Sequence, residues 1–308
     1  MIDLAPVCRV AVVQAEPVLF DAEASTRKAV ELIGKASEQG AKLIVLPELF
    51  VPGYPYGLNF GFTVGARTEA GRADWARYAK ESVVIGDEHV AALQDAARAA
   101  DAYVSIGISE RDAVTGTLYN SNIIIDPSGE VRSAHRKLKP TGSERVVWGD
   151  ADRGFFPTVD TPWGPIGALI CWESYMPLAR VALYQKGVTI YIAPNTNDNP
   201  EWQATVEHIA IEGRCFVINC DQYATRAAYP ADLASSDELA RITSDVVCRG
   251  GSSVVDPKGH TLSDPVWDRE EIIIEDLDIA SVAANRMEFD PVGHYSRPDV
   301  LSLSVRDE

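Results

Sequence analysis

Ile166-Gly167-Ala168-Leu169-Ile170-Cys171-Trp172-Glu173-Ser174, with the proline-led stretch Pro177 to Lys186 behind it, holds the reading that decides the fold. Five small or apolar residues in a row, Ile166 to Ile170, predict a buried strand. Pro177 suits a first helical turn, where its missing N–H costs nothing, and Gly187 closes the helix. The chain must therefore turn from strand to helix within a few residues, and Cys171 stands at that corner. The same rhythm continues outward: strand Val188 to Ala193, helix Pro200 to Arg214 with Asn199 as its expected N-cap, and strand Phe216 to Cys220.

The first half repeats the unit. Arg9 to Gln14 is a β-branched strand, and Asp21 to Gln39 follows with Ala22, Thr26, Ala29, Val30, Ile33 and Ala36 at helical spacing up to Gly40. Leu43 to Leu46 is a strand that stops at Pro47 and leaves Glu48 just past its end. Helix His89 to Ala100 and strand Tyr103 to Ile108 come next. Ser121 to Ile125 and Val131 to His135 form a hairpin turned by Asp126-Pro127-Ser128-Gly129. A second hairpin turns at Asp256-Pro257-Lys258-Gly259 after Ser252 to Val255, and leads to strand Ile272 to Asp276. The alternation has no Ser/Gly/Pro linker, so one domain over residues 1–308 is expected. Its class is α/β, a four-layer α-β-β-α sandwich of two sheets covered by helices.

The 308 residues carry 45 acidic against 28 basic side chains, a formal charge of −17 that repels phosphate backbones and anionic lipids. No nucleic-acid or membrane partner is expected. Met1 to Val7 has no basic leader and no run of 18 apolar residues occurs, which points to a cytoplasmic protein. Five cysteines, Cys8, Cys171, Cys215, Cys220 and Cys248, are an odd number without CxxC spacing, so neither a disulfide framework nor a zinc site is expected. Cys215 and Cys220 should face opposite sides of one strand. The five histidines lack ligand spacing, and no metal or cofactor is called for.

Position alone leaves Cys171 either a small buried hydrophobe or a reactive thiol at a corner that lowers its pKa. Glu48 could be a solvated edge carboxylate, Lys137 part of a solvated basic run from Arg132 to Lys139, and Glu144 a simple partner for Arg145. His135, two residues before Lys137, permits a Cys–His pair as a competing arrangement.

Several stretches decide among these. Leu46-Pro47-Glu48 with Val51-Pro52-Gly53-Tyr54-Pro55, His135-Arg136-Lys137-Leu138-Lys139-Pro140-Thr141 with Glu144-Arg145, and Ile170-Cys171-Trp172-Glu173 stand in that order. Trp202-Gln203, His208-Ile209-Ala210, Glu212-Gly213-Arg214-Cys215-Phe216-Val217, Gly250-Gly251-Ser252 and Val292-Gly293-His294-Tyr295-Ser296-Arg297-Pro298-Asp299 follow. Together they resemble the nitrilase superfamily, in particular its nitrilase branch, over nearly the whole chain.

The resemblance implies Cys171 as nucleophile, Glu48 as general base, Lys137 as the cation that stabilises the tetrahedral species, and Glu144 as a second carboxylate in the site. The residue types suit the chemistry. A nitrile carbon is a poor electrophile that needs a thiolate, a carboxylate can take the thiol proton, and an ammonium offers three donors to the developing charge. The expected substrates are a small organic nitrile and water, with an amidase or carbamoylase of the same superfamily, or a non-catalytic binding protein, as alternatives. Tyr54, Trp148 and Trp172 are candidate substrate contacts, with Trp148 either a pocket wall or core. Glu173 is expected to orient the corner through hydrogen bonds.

Ser174 replaces the Asn or His that many relatives carry there. A homodimer or higher homo-oligomer is implied. The chain stops soon after Arg297-Pro298-Asp299, so large spirals are not expected.

Overall fold

The computed structural model describes residues 4–306; Met1 to Asp3 of the N-terminal stretch considered above, and the last two residues, lie outside the described residues. The first sheet contains β1 (Val7–Gln14), β2 (Leu43–Val45), β3 (Tyr103–Arg111), β4 (Leu118–Ile125) and β5 (Val131–Arg136). The second contains β6 (Thr158–Thr161), β7 (Gly164–Ala168), β8 (Ile190–Asn195), β9 (Phe216–Asp221), β10 (Tyr223–Thr225), β11 (Val246–Val255) and β12 (Thr261–Trp267). The last strand, β13 (Glu271–Asp278), returns to pair antiparallel with β1 at the edge of the first sheet. The orders are β13-β1-β2-β3-β4-β5 and β10-β11-β9-β8-β7-β6, with β12 beside β11.

Helices α1 (Ala22–Glu38), α2 (Glu69–Glu81), α3 (Glu88–Ala100), α4 (Pro177–Gln185) and α5 (Trp202–Gly213) cover the outside. The Asp21 carboxylate caps α1 by accepting from the Ala24 N–H at 2.8 Å, and Asp87 caps α3 by accepting from His89 and Val90. The period-2 alternation of β1 assigns the layers. Ala11 and Val13 pack outward with Ala29, Ile33, Val90 and Leu93, whereas Val10 and Val12 face inward onto Ile166, Ile190, Ile192 and Ile218 of the second sheet. On the far side α4 and α5 lay Leu183, Trp202, Val206 and Ile209 over Leu169, Tyr191 and Val217. The expected four layers are present. Cys220 lies between the sheets and Cys215 beneath the helices, on opposite faces as their spacing requires, and all five cysteines are free.

One expectation needs correction. Helix α5 begins at Trp202 with Glu201 at its N-cap, so neither Asn199 nor Pro200 occupies the position assigned to it. The Asn199 side chain instead accepts from the Glu201 N–H at 3.3 Å, an Asx turn that precedes the helix. Among the described residues, no helix is long and apolar enough to cross a membrane.

Strand direction positions the chemistry. β1, β2 and β3 run parallel, as do β7, β8 and β9. β4 is antiparallel to both β3 and β5, so β5 runs in the same sense as β3. The C-terminal ends of β2, β5, β7 and β8 therefore point the same way along their sheets, and Glu48, Lys137, Cys171 and Thr196 lie within three residues of those ends, at the edge where α/β sheets hold ligands.

Candidate active site

Glu48 follows β2 on a turn that lies directly against β3. The Gly107 N–H donates to the Pro47 carbonyl at 3.0 Å, and a Cβ at Gly107 would come within 2.3 Å of the Leu49 nitrogen. Only glycine permits that approach, which sets the depth of the Glu48 carboxylate. Leu49, next in the turn, takes a left-handed φ of 49°.

Lys137 follows β5, its backbone N–H donating to the Asn120 carbonyl at 2.7 Å. Both Lys137 and Glu48 are fully buried. The ammonium donates to Glu48 Oε1 at 2.8 Å and to Glu144 Oε2 at 2.9 Å. Glu144 lies on a short 3₁₀ turn, Gly142–Val146, where it also accepts from the Thr141 N–H at 2.8 Å and from the Tyr54 hydroxyl at 3.0 Å. It is bound into this group, and the Arg145 guanidinium turns away to the Pro140 carbonyl.

Cys171 opens a second 3₁₀ turn, Cys171–Tyr175, with φ +52°, a strained conformation for a residue with a side chain. Glu173 holds the corner. Its carboxylate accepts from the Ile170 N–H at 2.7 Å, the Leu138 N–H at 2.5 Å and His135 Nε2 at 3.0 Å. Three donors from two segments thus fasten the Cys171 corner to the Lys137 strand end. They keep Glu173 below the ordinary carboxylate range although burial pushes it up. The same bonds occupy His135, which is engaged with Glu173 and not with the thiol.

The thiol departs from its expected pKa. Burial drives Cys171 well above the ordinary value, the charges of Glu48 and Glu144 add to the rise, and Lys137 opposes it. A corner position lowers a thiol pKa where water or a dominant cation stabilises the thiolate, and this site is buried and carries two carboxylates for one ammonium. Glu48 is likewise raised, by burial first, with Lys137 opposing and Glu144 adding. Burial would lower Lys137, but Glu48, Cys171 and Glu144 more than offset it and the amine stays charged. One cation is shared by two carboxylates, and for Glu48 it does not fully repay the cost of burial.

Two partners of Glu48 escaped the sequence reading. Asn120 Nδ2 donates to Glu48 Oε1 at 2.6 Å, and Thr196 Oγ1 donates to Glu48 Oε2 at 2.9 Å. Thr196 follows the end of β8 as Glu48 follows β2, so the strand-end rule applied to Glu48 would have found it. Asn120 lies inside β4 and carries no such signal.

Tyr54 and Trp148 stack with ring centres 6.0 Å apart and line a cavity beside Glu144. Trp172 is not part of it: its ring is about half exposed and stands edge-on to Tyr175. The structure thus brings Glu48, Lys137, Glu144, Cys171, Tyr54 and Trp148 together and leaves Trp172 at the surface.

Comparison with known proteins agrees with this architecture. The Carbon-nitrogen hydrolase family profile matches residues 9–287. An aliphatic nitrilase of Sinorhizobium fredii is 45% identical over 303 residues, 97% of this chain and 96% of that one. Nitrilase 1 of Arabidopsis thaliana is 40% identical over 97% of this chain and 87% of its own length. Among solved structures, Nit3 of Saccharomyces cerevisiae superposes with a TM-score of 0.73 at 23% identity, over 95% of this chain and 97% of that one, which shows a shared fold. With a family profile over nearly its whole length and relatives above 40% identity, the chain belongs to the carbon-nitrogen hydrolase family.

Proposed function

We propose that the protein is a nitrilase, converting a small organic nitrile and two waters to the carboxylic acid and ammonia. The observation that carries this reading is the buried cluster in which Lys137 bridges Glu48 and Glu144 beside the Cys171 thiol. The printed activity of the Sinorhizobium fredii relative supports it.

In the proposed mechanism Glu48 takes the Cys171 proton as sulfur bonds to the nitrile carbon, and the nitrile nitrogen accepts a proton as its bond order falls, giving a thioimidate. Water adds to that carbon. The C–N bond then breaks, ammonia leaves with the proton it needs, and a thioester remains; a second water releases the acid and restores the thiol. Two of the three Lys137 donors are held by carboxylates, so one is left to meet the charge that develops at the reacting centre. The raised Glu48 suits this transfer, because a carboxylate of higher proton affinity is a better acceptor for the thiol proton.

The proposal includes one catalytic domain in a cytoplasmic homo-oligomer without nucleic-acid or membrane partners. Exposed Trp172, Tyr175, Met176 and Leu178 on the corner and α4 support self-association, since apolar groups gathered on one surface favour a partner over water. Sedimentation velocity reads this directly, and a monomer at working concentration removes that part.

The functional test compares a nitrile with the amide of the same side chain. One ammonia released per acid, and a higher kcat/KM for the nitrile, is expected. Preferred turnover of the amide would make the protein an amidase with the same nucleophile.

A further inference from the structure

We propose that Asp221 is a positioning residue for Glu48: its buried carboxylate fixes the chain beyond β8, so that Thr196 holds the Glu48 carboxylate in the orientation that takes the thiol proton. This rests on the nitrile-hydrolysing reading above, in which Glu48 is the base, and adds the group that aims that base.

Asp221 ends β9 beside the end of β8, with Asn195 as its partner in the parallel register. It is fully buried. Its Oδ1 accepts from the Asn197 backbone N–H at 3.1 Å, and its Oδ2 accepts from Asn219 Nδ2 at 3.2 Å and from Asn195 Nδ2 at 3.5 Å. These donors are all neutral, and among the described residues no Lys, Arg or His is bonded to it. The charged groups that bear on it, Asp198 and Glu48, carry its own sign, and burial pushes its pKa well above the ordinary carboxylate value. Such a placement is costly. An apolar side chain of similar size would avoid the cost and lose the acceptors that hold the chain at Asn195 and Asn197.

The grip reaches Glu48 through one residue. Successive side chains of a strand point to opposite faces, and while Asn195 turns to Asp221, Thr196 turns away and donates from Oγ1 to Glu48 Oε2 at 2.9 Å. Thr196 is held on one side by the β8 ladder and on the other by the Asn197 N–H on Asp221, and its carbonyl accepts from the Tyr56 hydroxyl. The anchor is fixed in turn. Asn219 Oδ1 accepts from Trp202 Nε1 at 2.9 Å, Asn219 Nδ2 also donates to the Gly251 carbonyl at 2.9 Å, and the Asp221 N–H donates to Ser252 Oγ at 2.8 Å.

Only the carboxylate end of Glu48 depends on this route, because Gln222 Nε2 separately holds the Glu48 carbonyl at 2.9 Å. Lys137 and Asn120 both donate to Oε1, which leaves Thr196 as the partner of Oε2 among the described residues. A carboxylate held at one oxygen can still turn about its last bond; held at both, it keeps one lone-pair direction toward the thiol.

The test is a double-mutant cycle read through pH. It uses whichever of a nitrile and its matching amide is turned over faster, so a preference for the amide removes the nitrilase reading and leaves the positioning role measurable. Turnover of neither would overturn both. Thr196→Val should lower kcat about tenfold or more, keep KM within about threefold, and move the acid limb of kcat/KM up by about 0.5–1 pH unit, since a donor that favours ionised Glu48 is lost. Asp221→Leu should do the same on its own and move the limb no further in the Thr196→Val background. Asp221→Asn, which keeps an acceptor for the Asn197 N–H, should regain most of the lost rate and the wild-type limb. Lys137, Glu144, Cys171, Tyr54 and Tyr78, the other titratable groups that bear on Glu48, are untouched by these substitutions. Loss of a negative charge at Asp221 would by itself move the limb down, so the direction separates positioning from a direct field. Should Asp221→Leu not fold, Asp221→Ser, too short to reach Asn197, should move the limb up in its place. A limb that stays put or moves down in the folded variant, or that moves equally in both backgrounds, would overturn the role, as would an Asp221→Asn variant as impaired as the apolar one.

Discussion

Arg136 and Lys137 are adjacent cations, both almost completely buried, and they end in different acid clusters. Arg136 donates to Glu110 at 2.5 Å, Asp152 at 2.7 Å and Asp112 at 3.2 Å, and its guanidinium lies 3.7 Å over the Tyr119 ring. Its donors are spent on three carboxylates, one of which, Asp152, is half exposed and lets water share the charge. Lys137, turned to the opposite face at the strand end, meets two fully or nearly buried carboxylates and a thiol and keeps one donor unspent. A structural ion cluster satisfies its members; a reactive one leaves capacity for the transition state. Residue type and burial alone do not tell the two apart.

The strongest way to break this contrast is at the thiol. Cys171→Ala should lower turnover by at least about 10⁴-fold, because groups acting as one unit fail together, while the melting temperature stays within a few degrees. Activity retained in the folded variant would return Cys171 to the status of core packing.

The two cations can then be set against each other. Lys137→Met should reduce kcat by about 10²- to 10³-fold in folded protein, the range for loss of one preorganised donor. Arg136→Met should leave kcat within a few-fold but cost about 3–5 kcal/mol of stability, since Glu110 would be buried without its cation. Denaturant melts and kinetics on both variants read the difference, and equal losses of kcat would erase it.

A smaller effect sharpens the contrast through pH. Glu48 must be ionised to accept a proton, and its pKa lies above the ordinary value of 4.5, so kcat/KM should fall on acidification with a midpoint above that value. Asn120 favours the ionised form; Asn120→Ala should move the acid limb further up, with a loss of about tenfold or less. An acid limb that does not move would separate Asn120 from the base. Glu173 has the opposite sign. Its folded pKa is lowered, so the stability it contributes is present above its unfolded value and is lost as pH falls through the folded one.

Legibility along the chain followed signal length. Helices α1 and α3 and the hairpin of β4 and β5 were readable because their periods run for several turns or residue pairs. Helix α2 went unread: Gly71, Asp74 and Tyr78 are its buried residues, too mixed to give an apolar stripe. Strands β6 and β10, of four and three residues, are too short for a period. Within the candidate site, Glu48, Lys137, Glu144 and Cys171 stand out as motifs, whereas proximity in sequence to the thiol does not say which side of the corner the Trp172 ring takes, and that ring is about half exposed.

The sequence by itself determined the longer strands and helices and the candidate chemical groups, since periodicity, turn residues and motif spacing are properties of neighbouring residues. Only the tertiary structure decided the direction of the thiol pKa and the sharing of one ammonium between two carboxylates. Burial and through-space charge depend on which distant strand ends meet, and Glu48, Lys137 and Cys171 meet at an edge that no local stretch of the chain contains.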